Sequence, residues 1–184
     1  MNTYTISMTL DPASINAAIR ELRNYQKRVQ NKAEELRRRV AALIQNEAQT
    51  IFDSAVADDI FKVVVGKETV DESPRIGGVT VTVEPGDENT TLVIADGKDA
   101  IFMEFGAGVY NNGEVGSSPN PLGASLGFTI GGYGKGNGAK EVWGYRGDDG
   151  EIYITHGTPA SMPLYNAIQN VIRDIVRIAE EVFS

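Results

Sequence analysis

The sequence predicts an α+β domain, and three patterns carry that prediction. Apolar residues recur every three or four positions from Ile15 to Ile51 with no glycine or proline between them, the signature of a long amphipathic helix. Val79, Val81 and Val83 alternate with Thr80 and Thr82 ahead of a Pro85-Gly86-Asp87-Glu88-Asn89 turn, which is the signature of an antiparallel hairpin. A second helical stripe, Leu164, Ile168, Val171, Ile172, Ile175, Ala179 and Val182, closes the chain. The 184 residues are taken as a single domain: a helical region over 11–55, a small antiparallel sheet over 60–105, a glycine-rich loop over 106–141, a hairpin over 142–155 and a C-terminal helix over 161–183 packed on the sheet.

Taken in order, residues 3–10 alternate, with Tyr4, Ile6, Met8 and Leu10 on one side and Thr3, Thr5, Ser7 and Thr9 on the other, so a half-buried strand is expected. Asp11-Pro12 reads as a helix start, with an N-cap acceptor followed by proline at the first helical position. The stripe then runs Ile15, Ile19, Leu22, a polar lapse at Gln26, Val29, Ala33, Leu36 and Val40. As one helix from residue 12 to 55 it would be about 66 Å long, against a radius of gyration of about 16 Å for a compact chain of this size. The helix must therefore break, near Asn24 to Asn31, or project. Strands are expected at 61–65, 78–84 and 91–95.

The run Ile101-Phe102-Met103-Glu104-Phe105-Gly106-Ala107-Gly108 is the pivot of the sequence. It is an apolar element with one embedded carboxylate, ended by Gly106 and Gly108, which can supply a sharp exit. Phe105 is expected to be buried and Glu104 to accept hydrogen bonds from nearby loop amides. Residues 106–150 hold 14 of the 20 glycines, and residues 107–140 are expected to be poorly ordered in the free protein. If Asp149-Gly150 form a two-residue turn, Tyr145 lies opposite Ile154, and Trp143, Tyr145, Ile152 and Ile154 share a face.

Charge is unevenly spread. Residues 1–50 carry eight Lys and Arg against five Asp and Glu, a net of +3, while residues 51–184 carry nine against twenty, a net of −11. Such a balance does not resemble a nucleic-acid-binding domain, whose basic face outweighs its surroundings. It suits head-to-tail association of copies, with Arg37, Arg38 and Arg39 as a candidate assembly interface; a solvated helix face is the plainer reading. Cysteine is absent, which excludes disulfides and thiolate chemistry. No basic, apolar leader and no membrane-length run is present, so the chain is expected to be soluble and made in the cytosol.

A search for chemistry finds no catalytic, cofactor or metal set. Gly131-Gly132-Tyr133-Gly134-Lys135-Gly136-Asn137-Gly138 is followed by no helical pattern, so it matches neither a dinucleotide fingerprint nor a P-loop. His156 is the sole histidine, and with Glu104 and Glu151 it makes a poor metal set. Ser117, Ser118, Ser125 and Ser161 lie in no nucleophile elbow. Asp148-Asp149-Gly150 lacks the spaced oxygens of a calcium loop.

The motifs nevertheless resemble those of the tail-completion or head–tail joining proteins of long-tailed bacteriophages. The resemblance is carried by Glu104-Phe105-Gly106-Ala107-Gly108, Ser118-Pro119-Asn120-Pro121 with Leu126-Gly127, Trp143 and Tyr145, and Gly157-Thr158-Pro159-Ala160-Ser161-Met162-Pro163-Leu164, in the family's order over residues 101–170. Ala107 stands where threonine is usual, Asn120 where histidine is common and Leu164 where phenylalanine is common; a proline-threonine-glycine segment is missing from residues 51–66. The resemblance implies a structural protein without catalysis or cofactor, with Glu104, Phe105, Gly106, Gly108, Trp143, Pro159 and Pro163 as structural motif residues. It implies a ring homo-oligomer in the virion, a hexamer being one option, that can be monomeric when isolated, lies in the host cytoplasm before assembly and meets head-side connector and tail-tube proteins in the virion. DNA would pass through without specific binding, because an acidic lumen makes no phosphate contacts. The alternatives are a small-molecule or nucleotide-binding domain using the glycine-rich loop, and a non-specific nucleic-acid binder using the helix face from Arg20 to Arg39.

Overall fold

A computed structural model of the chain describes residues 5–54, 60–64, 67–70, 78–87, 89–106, 118–126, 143–146, 150, 152–155 and 160–184. It is an α+β fold with the element order α1 (Pro12–Ser54), β1 (Ile60–Val64), β2 (Lys67–Val70), β3 (Thr80–Pro85), β4 (Thr91–Asp96), α2 (Ala100–Phe105), α3 (Leu122–Ser125), β5 (Trp143–Arg146), β6 (Ile152–Thr155) and α4 (Pro163–Phe183).

Helix α1 is unbroken. Its 43 residues span about 65 Å at 1.5 Å per residue. The expected break at Asn24 to Asn31 does not occur, because nothing in that stretch removes a backbone donor or relaxes the helix. Asp11 caps the start: one carboxylate oxygen accepts from the Ala13 and Ser14 amides, both at 3.0 Å, and the other from the Thr9 hydroxyl. Of the strand expected over residues 3–10, residues 3 and 4 lie outside the described residues, and residues 5–10 are not in a strand. Residues 5–10 pair with no strand among the described residues, and Met8 (62%) and Leu10 (94%) are exposed. Alternation alone did not supply a neighbouring strand, and the Thr9–Asp11–Ser14 bonds turn the chain directly into the helix.

The strands form two sheets rather than one over residues 60–105. One has the order β2-β1-β6-β5, the other is the β3-β4 hairpin, and every pairing is antiparallel. Strand β2 was not foreseen, and the sequence-expected sheet end at residue 105 is helix α2. The β5–β6 register pairs Tyr145 with Tyr153 and Gly144 with Ile154. The last described pair is Arg146 with Ile152. A one-residue shift moves every residue of a strand to the other face, so Trp143 and Tyr145 do not share a face with Ile152 and Ile154.

Helices α1 and α4 run antiparallel. The Lys32 ammonium donates to the Val182 and Ser184 carbonyls at α4's C-terminus, at 2.8 and 2.9 Å, while Asn170 meets Glu47 two turns from α4's start. Small residues allow the close approach: Ala41, Ala48 and Ala167 are buried. Around Ala48 and Ala167 gather Phe52, Val79, Val81 and Met103, with Ile44, Val93, Ala95, Ala100 and Leu164 at the margin. The first turns of α4 thereby share a core with the β3–β4 sheet.

The outer edge of β3 is covered by two glutamines. Gln49 donates to the Val79 carbonyl (3.0 Å) and accepts from the Val81 amide (2.8 Å), and Gln45 donates to the Val81 carbonyl (2.8 Å). Their amides stand in for a neighbouring strand, which satisfies the edge groups that would otherwise attract another chain.

Candidate functional site

The pivot residues are assembled from both ends of the chain's second half. Helix α4 starts without a capping side chain: Met162 occupies the N-cap in a left-handed conformation and Pro163 follows it. Amides at the second and third helical positions thus lack a local acceptor. Glu104 supplies one from 60 residues away. Its carboxylate accepts from the Leu164 amide at 2.9 Å and the Tyr165 amide at 3.1 Å. It is a tertiary cap placed at the positive end of the α4 dipole, where a carboxylate is favoured. The preceding carbonyl, of Met103, accepts from the Ser161 and Met162 amides at 2.9 and 3.1 Å. Asn120 completes the set, donating to Glu104 at 3.1 Å while its own carbonyl caps α3 at the Leu122 amide.

This geometry explains why a carboxylate sits in an apolar run. Glu104 is 5% exposed, the sole buried charged residue among those described, and each of its oxygens is engaged. Phe105 is 7% exposed. Gly106 ends α2 at φ 79° and ψ 159°, a region open to glycine alone, while its amide bonds to the Phe102 carbonyl at 2.8 Å. The acceptors were expected to serve loop amides; they serve a helix start instead. The sequence did carry a signal for this, since Ser161-Met162-Pro163 places no Ser, Thr, Asp or Asn directly before the proline. Of the other motif residues, Gly108 and Pro159 lie outside the described residues, Pro163 is buried, and Trp143 is described only as the start of β5.

The three arginines of the expected interface separate in space. Arg37 donates to the Asn89 side chain at the β3–β4 turn, at 2.9 Å, and Arg39 pairs with Glu181. Both therefore serve contacts within the chain, although Arg39, like Arg38, is exposed. Glu181 also pairs with Arg177, which bridges to Asp174. These contacts hold the Glu181 carboxyl below its ordinary range, Arg177 contributing first and Arg39 next, and raise the Arg177 guanidinium. Asp11 is likewise lowered, by the Thr9 hydroxyl first and then the Ser14 amide.

The first 20 residues of α1 behave differently. Residues 12–31 extend beyond the Lys32–Ser184 contact, and of them Ala18 alone is buried. Ile15, Ile19, Leu22 and Val29 are 37–54% exposed along this arm. It is the one long apolar stripe of α1 that no described element covers.

Nothing among the described residues groups three or more His, Cys, Asp or Glu side chains as a metal site would require. The α1–α4 groove holds an open cleft of about 380 Å³ between Leu43, Glu47, Asn170 and Arg177, whose polar groups are turned toward one another rather than toward a ligand. No described helix is long and apolar enough to cross a membrane. His156, Glu151 and the loop 131–138 lie outside the described residues. No protein-family model, curated protein or solved structure matches the chain.

Proposed function

We propose that this chain is a structural virion protein of a long-tailed bacteriophage, acting without catalysis at the head–tail junction as a ring that completes the tail and joins it to the head. The observation that carries the reading is the interlock of the two strongest motifs. Glu104 and Met103 from one bind residues 161–165 of the other through four backbone amides. Motif residues spent wholly on joining two helices and a loop suit a part whose task is to hold shape, because an engaged carboxylate is not free for acid–base work. A net charge of −8 agrees with a channel past which DNA slides.

Electron microscopy of the purified protein, alone and mixed with long phage tails, tests this reading. Rings, or density added at the head-proximal end of the tail, are the expected result. Dispersed particles that never join tails, together with ligand-dependent melting in the presence of nucleotides, would overturn it in favour of a small-molecule-binding domain.

A further inference from the structure

We infer that the outer face of α4 pairs with the same face of a second copy of this chain, the two helices running antiparallel about a two-fold axis. The inference does not rest on the ring reading, because a two-fold contact closes at two copies and builds no ring. Helix α4 carries two apolar faces. One is spent on the body of the chain, through Ala167, Val171, Ile178 and Val182. The other consists of Tyr165, Ile168, Ile172, Val176, Ala179 and Phe183, which at about 3.6 residues per turn fall within about 80° of arc. Ile168, Ile172, Val176 and Phe183 are 39–67% exposed. No charge interrupts this strip, which runs about 22 Å from Ile168 to Phe183.

Charge identifies the occupant. Of the five charged residues of α4, Asp174, Arg177 and Glu181 are ion-paired within the chain. Arg173 and Glu180 are exposed and make no ion pair among the described residues, Arg173 donating instead to the Asn170 side chain. They lie seven residues apart, two helical turns, and so border the apolar strip along one edge. A two-fold axis perpendicular to the helices lays each edge against the same edge of the other copy, reversed in direction. Placed at the middle of the strip, between Ile175 and Val176, the axis sets Arg173 of each copy beside Glu180 of the other. The midpoint of Arg173 and Glu180 falls between Val176 and Arg177, one residue or about 1.5 Å away. Two separate patterns, one apolar and one charged, thus put the axis in the same place. Parallel helices would oppose Arg173 to Arg173 and Glu180 to Glu180, which like-charge repulsion disfavours. A single helix pair is a small interface, so a weak, reversible dimer is expected.

Sedimentation velocity on the full chain reads the dimer directly. Ile172→Glu puts a charge in the strip at a position 56% exposed, so folding, checked by circular dichroism, is expected to survive. The dimer should weaken about 100-fold or more. Arg173→Glu alone and Glu180→Arg alone each oppose like charges twice and should weaken it about 5-fold or more. The two together should restore the native affinity, which damage to the fold would not do. The natural absence of cysteine permits a geometric readout. Under oxidation Val176→Cys, next to the axis, should cross-link to itself, and Ile168→Cys, about 22 Å from its own copy, should not.

Native chain that stays monomeric at about 0.5 mM overturns the inference. So does a dimer indifferent to Ile172→Glu, which would place the contact elsewhere, or one in which Ile168→Cys joins to itself, which would mean parallel helices. A charge-swapped double variant as weak as the single ones overturns the two-fold register. Flotation of native chain, but not of Ile172→Glu, with phosphatidylcholine vesicles in place of dimer formation would assign the strip to a lipid surface instead.

Discussion

Single residues fix the joint between the pivot and α4. Replacing Glu104 by alanine removes the acceptor for two helix-start amides and for Asn120, and should cost about 2–4 kcal/mol of unfolding free energy, since buried donors would lose a charged partner. Glu104→Gln keeps the shape and one acceptor oxygen and should cost less, and urea titration separates the two. Phe105→Ala should cost about 3–5 kcal/mol for the lost apolar volume. A loss below about 1 kcal/mol in either alanine variant would place the motif on the surface. Gly97 is a further sensitive point. A Cβ there would stand 2.9 Å from the Gly78 carbonyl and the Val79 Cα, both backbone, so Gly97→Ala should destabilise the β3–β4 sheet, as reduced amide protection in Val79 and Val81 would report.

At the scale of elements, what was legible followed from local pattern and what was missed depended on partners. The α1 stripe, its Asp11 cap, the β3–β4 hairpin and the α4 stripe are each written within a few neighbouring residues. The fate of residues 5–10 was not, because a strand exists only if another strand takes its hydrogen bonds. The β5–β6 register is not written in the Asp-Gly pair either: it depends on which residues of the two strands meet, and Arg146 meets Ile152. Gln45 and Gln49 looked like ordinary polar positions on a helix, and only the fold shows them bonded along β3. Changing both to leucine keeps the helix but strips the β3 edge of its acceptors and donors, so lower stability and a greater tendency to aggregate on heating are expected, readable by light scattering. Glu104 marked a site by being a carboxylate in an apolar run, while its partners, 60 residues on, were beyond any local window.

For the molecule as a whole, charge sets the response to conditions. The Glu181 and Asp11 carboxyls lie below their ordinary values of 4.5 and 3.8 in the folded chain. A lowered carboxyl stabilises above its unfolded pKa, and that stabilisation is lost as pH falls through the folded one. Thermal midpoints should therefore be insensitive to these groups near neutrality and fall below about pH 4.5, with Glu181→Gln reducing the acid-side slope. The same substitution frees Arg39 from its pair, so reversing Arg37, Arg38 and Arg39 together would disturb contacts within the chain as well as any between chains. Arg20→Glu, Arg23→Glu and Lys27→Glu make the cleaner charge test. Assembly of native protein should weaken between low and high salt, and that salt dependence should shrink in the reversed variant.

The arm also has a mechanical meaning. The helix is gripped by α4 over its C-terminal part, and its first 20 residues reach about 30 Å beyond the Lys32–Ser184 contact, as a lever does. A tilt of only about 5° at the grip displaces the tip by about 3 Å, roughly the difference between a side chain seated in its groove and one lifted out of it. The small alanines along the grip set that angle, because they fix how closely α4 approaches. Ala167→Val, deep in the body, would then re-aim a tip more than two dozen residues of helix away.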